Sequence, residues 1–213
     1  MRNEFLVSFN FSFRISHFSF LMQTTSVVLV GVGGQGILLA SEIVAQAAVA
    51  AGFDVKTNEV HGMAQRGGSV IAQIRYGQEV HSPIIAKGTA SVLGSLERME
   101  TLRYTDYLAE NGLAVVSSQK IVPVTASSGA VGYPEIDEKL LKRYFSRLVY
   151  IDAVTEATKI GNSKAANSIL LGAMSPQLDL PLEAWETAIR KSVKAKFVDV
   201  NLKAFHCGRG YST

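Results

Sequence analysis

His61, Gln65 and Arg66 are followed at once by Gly67 and Gly68. This puts a titratable imidazole, an amide and a guanidinium on one glycine-bounded loop. An imidazole changes charge near neutral pH and can give or take a proton. A guanidinium engages a carboxylate or a phosphate through paired N–H donors. Such groups concentrate on loops held by a rigid sheet, so His61 and Arg66 are candidate catalytic residues and Gln65 a candidate binding residue. The alternative is a surface loop that packs on a partner chain.

A second feature lies upstream. Residues 31–36 read GVGGQG, a G-x-G-x-x-G pattern between an apolar run and a helical one, the context that pattern needs. Glycines allow a tight turn with no Cβ in the way, and the N–H groups at a helix start form an anion site. Three readings stay open: a dinucleotide pyrophosphate, another anion or a partner contact, and a purely structural turn. For a dinucleotide, Glu59 is better placed than Asp54 to meet the ribose. Gly33, Gly34, Gln35 and Gly36 are the candidate binding residues, Gln35 because an amide at the first helical position can reach outward. Lys164, beside Asn162, Ser163 and Asn167 at a predicted helix start, could neutralise a phosphate, and Ser163 reads as the helix cap.

The elements that must position these groups follow from periodicity. SVVLVG, residues 26–31, is a β-branched run ended by glycine, as in a buried parallel strand. Residues 35–51 form a mostly apolar helix stopped by Gly52. A strand over residues 53–57 then completes a strand–helix–strand unit, for which a parallel, right-handed crossover is the default. Residues 59–68 read as an irregular loop, and residues 69–76 as a strand with one face open. Further strands are predicted at residues 91–94, 113–117 and 148–152, and helices at residues 97–108, 165–174 and 182–195. Glu97 opens the first of these helices and suits the positive end of its dipole. Lys139, Lys142, Arg143 and Arg147 recur at helical spacing beside Leu140, Leu141, Tyr144 and Leu148, which reads as a solvated helix face. The fold class is therefore α/β, a single Rossmann-like domain with a mainly parallel sheet flanked by helices.

Composition narrows the function. The 213 residues suffice for one large α/β domain. Lys plus Arg number 21 against 18 Asp plus Glu, a net charge of only +3, and this small, dispersed excess does not imply nucleic acid. No run approaches the length of a membrane span. The single cysteine, Cys207, excludes an intrachain disulfide and an iron–sulfur cluster held by this chain alone, since a cluster takes about four thiolates. It fits a reducing cytoplasm. His17, His61, His81 and His206 show no metal-ligand spacing.

Residues 1–21 differ from the rest, holding six of the ten phenylalanines, and precede a second methionine, Met22. Arg14 breaks the stretch and no small-residue cleavage site follows, so it is not a secretory signal. The expectation is an N-terminal extension over residues 1–21, dispensable or placed before the true start, and one domain over residues 22–213.

Taken in order, GVGGQGI, EVHGMAQRGGSV at residues 59–70, SPII at 82–85, Gly132-Tyr133-Pro134, Ile151-Asp152-Ala153, GNSKAANSILLGA at 161–173 and NLKAF at 201–205 resemble the gamma-domain family of 2-oxoacid:acceptor oxidoreductases. The likeness runs from about Ser26 to Gly208 and omits the first 21 residues. It implies a subunit, inactive alone, of an enzyme that oxidatively decarboxylates 2-oxoacids to acyl-CoA and CO2, with ferredoxin taking the electrons. EVHGMAQRGG favours the arylpyruvate type over pyruvate, 2-oxoglutarate or branched-chain relatives. The family keeps thiamine diphosphate, Mg and [4Fe-4S] clusters in a larger alpha subunit, with coenzyme A as co-substrate, which implies no cofactor bound by this chain alone. A free-standing dinucleotide-binding protein and a purely structural partner are the competing readings.

Overall fold

The computed structural model describes residues 24–62, 67–122 and 134–211. Residues 1–21, Gln65 and Arg66 lie outside them. Six strands form one sheet in the order β2-β3-β1-β4-β5-β6: β1 Thr25–Val32, β2 Asp54–His61, β3 Ser69–Gly77, β4 Ala90–Ser95, β5 Leu108–Ser117 and β6 Arg147–Ile151. The helices are α1 Ile37–Ala50, α2 Arg98–Arg103, α3 Glu138–Leu141, α4 Ala153–Lys159, α5 Ala166–Met174, α6 Leu182–Ser192 and α7 Val198–Arg209.

The apolar run of β1 makes it central, with Val27 to Val30 fully buried, and β1, β4, β5 and β6 run parallel as expected. Alternate residues feed two cores. Val27 and Leu29 face the layer of α1 and α4 to α7, while Val28 and Val30 face α2, α3 and Ile85. α1 ends where Gly52 takes φ +88°. There Gly52 N–H donates to Val49 O and Phe53 N–H to Ala48 O, both at 3.0 Å, a closure that needs a left-handed residue.

The strand–helix–strand unit is corrected. β2 does not lie beside β1; β3 is inserted between them and is antiparallel to both. The connection explains this, because the few residues between His61 and Ser69 are too short for a parallel crossover but allow an antiparallel return. β2 also continues through His61 into the segment expected to be loop, and it forms the exposed edge of the sheet.

β3 is covered on both faces. Two of its polar side chains are hydrogen-bonded to the segment over residues 78–88, with Ile85 N–H donating to Gln73 Oε1 at 2.7 Å and Arg75 Nη1 donating to Ser82 O at 2.8 Å. The predicted helix over residues 97–108 is α2 followed by a 3-10 turn, Thr105–Tyr107, and β5 begins at Leu108. In the basic segment only Glu138–Leu141 is helical. α4 and α7 were not evident from periodicity. α4 is short and starts from Asp152, whose side chain accepts Thr155 N–H, and α7 is a separate helix beyond the end of α6.

Candidate functional site

The glycine turn leaves β1 at the point where the chain's connections diverge. β3 and β2 lie to one side of β1, and β4 to β6 to the other. In open α/β sheets the crevice at such a switch point receives ligands. Here Gln35 fills it. Its Oε1 accepts Val32 N–H at 2.7 Å, and its Nε2 donates to Leu96 O and to Gln119 Oε1, both at 2.8 Å. The amide turns inward and ties the ends of β1, β4 and β5 together, the opposite of the outward reach expected. A Cβ on Gly31 would sit 2.8 Å from Gln35 Oε1, so the first glycine makes room for this amide.

The dinucleotide reading loses its second element as well. Glu59 pairs with Ala72 on β3, so it stands two strand spacings, roughly 10 Å, from β1. An acid that meets the ribose must end the strand next to β1.

The turn itself uses Gly34 at φ +101° and Gly36 at φ +84°, conformations that only glycine adopts without strain. Gly36 precedes α1 and no side chain caps the helix, so its first N–H groups face outward with the positive end of the dipole. The turn is joined to the two residues that precede β3 by a reciprocal pair: Gly33 N–H donates to Gly68 O at 2.8 Å, and Gly67 N–H donates to Gly33 O at 3.3 Å.

Above this seam lies a cleft of about 430 Å³ lined by Gly33, Gly34, Gly36, Leu38, His61 and Val70. The structure therefore brings His61 to the glycine turn. Both His61 and Leu38 are exposed, and the His61 ring lies near its own neighbour's carbonyl, Nδ1 to Gly62 O at 3.4 Å. The cleft offers an apolar wall, an imidazole and a helix start.

Lys164 is placed elsewhere. It lines a second depression of about 820 Å³ with Leu39, Lys194 and Phe197. Asn167, three residues on from Lys164, donates from its Nδ2 to Gly36 O at 3.3 Å. The cap before Lys164 is Asn162, which accepts Lys164 N–H at 3.1 Å, whereas Ser163 is the first residue of the 3-10 turn that follows.

Three polar residues that sequence reasoning missed lie under the seam. Ser69 hydrogen-bonds to the Glu100 carboxylate and lies 3.2 Å from the Tyr104 hydroxyl. Burial pushes the Glu100 carboxyl above the usual range, and the Ser69 hydroxyl and the Arg103 guanidinium pull it back. Glu97 is buried too, its carboxylate accepting Met99 N–H, Glu100 N–H and Ile121 N–H. The only sequence signal was two acids at i, i+3 between apolar runs, a pattern shared with many solvated helices.

Comparison with known proteins decides the family. A model described as pyruvate ferredoxin/flavodoxin oxidoreductase matches residues 26–211. The chain belongs to this family. An indolepyruvate oxidoreductase subunit IorB from Archaeoglobus fulgidus is 42% identical over 187 residues, 86% of this chain and 92% of that protein. The gamma subunit of a keto/oxoacid ferredoxin oxidoreductase from Geobacter sulfurreducens shares the fold at TM-score 0.64 and 24% identity, covering 88% of this chain and 98% of that one. A 2-oxoglutarate:ferredoxin oxidoreductase from Magnetococcus marinus, solved with 2-oxoglutarate, coenzyme A and succinyl-CoA, matches at TM-score 0.66 and 19% identity, covering 89% of this chain but 31% of that one. The same fold thus occurs both as a separate chain and within a much longer one. Among the described residues no helix is long and apolar enough to cross a membrane.

Proposed function

We propose that this chain is the smaller, cofactor-free subunit of an indolepyruvate oxidoreductase, which oxidatively decarboxylates arylpyruvates to acyl-CoA and CO2 and passes the electrons to ferredoxin. The observation that carries the reading is the 42% identity to the IorB subunit over 86% of the chain. It is supported by the way the fold sets His61 in one cleft with the GVGGQG turn and joins that turn to Gly67 and Gly68.

The cofactor chemistry belongs to a larger partner. One cysteine cannot hold a [4Fe-4S] cluster, which takes about four thiolates. Thiamine diphosphate with Mg, held by the larger subunit, supplies the carbanion chemistry. What this chain adds is a surface at the edge of that site. The N–H groups of Gly34, Gly36 and the start of α1 present partial positive charge to an anionic group of coenzyme A or to the partner. His61 stands at the same cleft as a proton donor, with Gln65 and Arg66 close behind it in the sequence. Gln35 contributes by holding the turn in shape, and Lys164, on the neighbouring depression, by attracting phosphate.

Affinity purification of the chain from its own host under anaerobic conditions tests this. A larger companion carrying thiamine, iron and sulfide, together with coenzyme A-dependent oxidation of indolepyruvate, is the expected result. A lone 23 kDa species without those cofactors refutes it. Within an active complex, His61→Asn should lower kcat/KM by about 10²-fold or more if His61 moves a proton, and leave assembly intact.

A further inference from the structure

Beneath the seam between the two turns lies a chain of polar groups to which the function above assigns no role. Ser69 opens β3, follows Gly68 directly and pairs across the sheet with Val32, the last residue of β1. Its hydroxyl joins Tyr104, 3.2 Å away, to the Glu100 carboxylate. Glu100 is 5% exposed, and its other oxygen lies 3.5 Å from Arg103 Nε, a side chain that is itself 56% exposed. The two turns above are joined, beyond the end of the β1–β3 ladder, by the two backbone bonds at Gly33.

We propose that Glu100 is a positioning residue for the cleft: through Ser69 it holds the turn at Gly67 and Gly68 against the glycine turn, and so sets His61 relative to the start of α1. A hydroxyl can donate to a carboxylate or accept from a carboxylic acid, so the Ser69 contact exists in both protonation states. The states differ in cost, because an ionised carboxyl loses hydration when buried. Opening the seam lets water reach Glu100 and relieves that cost, so the seam opens more often as the proton is lost.

Among the described residues the charged groups near Glu100 are Arg103 and Glu97, on its own helix and the helix cap, and the 3-10 turn that follows α2 carries Asp106, which is paired with Lys87. β1 and β4, against which α2 packs, contain no charged residue, and the only one in β5, Glu110, lies in the exposed first part of that strand. Arg103 offsets the burial of Glu100 only in part, and Glu97 adds to it.

Amide hydrogen exchange on the assembled complex, read from peptides covering residues 31–36 and 67–72 between pH 5 and pH 8, tests the proposal. After correction for intrinsic exchange rates, wild-type protection should fall as pH rises. Glu100→Gln, which still reaches Ser69 but carries no charge, should stay protected across the range. Ser69→Ala should exchange roughly three- to tenfold faster at every pH, the loss of one net hydrogen bond, while peptides of α5 and α7 exchange at the wild-type rate. An unchanged pH dependence in Glu100→Gln, wild-type exchange in Ser69→Ala, or acceleration spread equally over α5 and α7 would each overturn it. These readings involve no turnover, so they are separable from the proposed activity. The catalytic consequence alone rests on that activity, and there Glu100→Gln should flatten the pH dependence of KM for coenzyme A at constant kcat.

Discussion

Gly36 and Asn167 meet across 131 residues of sequence, with Asn167 Nδ2 donating to Gly36 O at 3.3 Å. A Cβ built on Gly36 would lie 2.8 Å from that same nitrogen. The last glycine of the turn is thus required twice, by its φ of +84° and by the amide seated over it. This contact is what couples the glycine turn to the start of α5.

Gly36→Ala should destabilise the chain by about 1–3 kcal/mol, the left-handed penalty plus displacement of Asn167. Gly34→Ala is the control, since φ is +101° but nothing lies within 4 Å of the added carbon. It should cost about 1–2 kcal/mol. Thermal unfolding of the two variants side by side checks the order.

Gln35 makes its contacts as a donor toward Leu96 O and Gln119 Oε1 and as an acceptor from Val32 N–H. Gln35→Ala leaves those partners without this amide at an estimated cost of about 1–3 kcal/mol. Gln35→Glu should be worse than alanine at neutral pH, because a carboxylate oxygen would then face two acceptors. Denaturant midpoints measured for both variants at pH 7 decide the ranking, and equal midpoints would mean that Gln35 does not act through its amide.

α5 and α7 cross at paired glycines. A Cβ on Gly172 would lie 2.0 Å from Phe205 O, and one on Gly208 would lie 2.0 Å from Ile169 O. Backbone cannot yield as a side chain does, so the helices must part. Either alanine variant should lose about 1–3 kcal/mol or more. Loosening this contact also disturbs Trp185 and Phe205, whose rings pack with centroids 5.6 Å apart, so near-ultraviolet dichroism should change with stability.

The sign of the Glu100 contribution to stability is fixed by its raised carboxyl pKa. Between the unfolded value, 4.5, and the higher folded value, the native chain binds more protons than the unfolded one. Stability from this group therefore falls as pH rises through that window and levels off above it. The midpoint of Glu100→Gln relative to wild type should rise over the same interval, as followed by melting scans from pH 4 to pH 8. Asp54 and Asp106, whose carboxyls are held below their ordinary value chiefly by Lys56 and Lys87, act in the opposite sense at lower pH, and the difference between the two proteins removes them.

The parts of this protein legible in sequence are those determined by near neighbours. A β-branched run, a glycine turn and an apolar helix stopped by Gly52 carry their geometry in local sterics and in the period of burial, and ordered motifs from residue 31 to residue 205 carry the family. The tertiary structure decided what depends on partners far along the chain. β3 entered between β1 and β2 because the short link from His61 to Ser69 allows only an antiparallel return. Gln35 turned inward because Leu96 and Gln119, remote in sequence, offered acceptors. Glu100 became a buried carboxyl because α2 lies over the sheet opposite Ser69. Strand order and the burial of a polar group depend on which surfaces meet, and residue spacing does not encode that meeting.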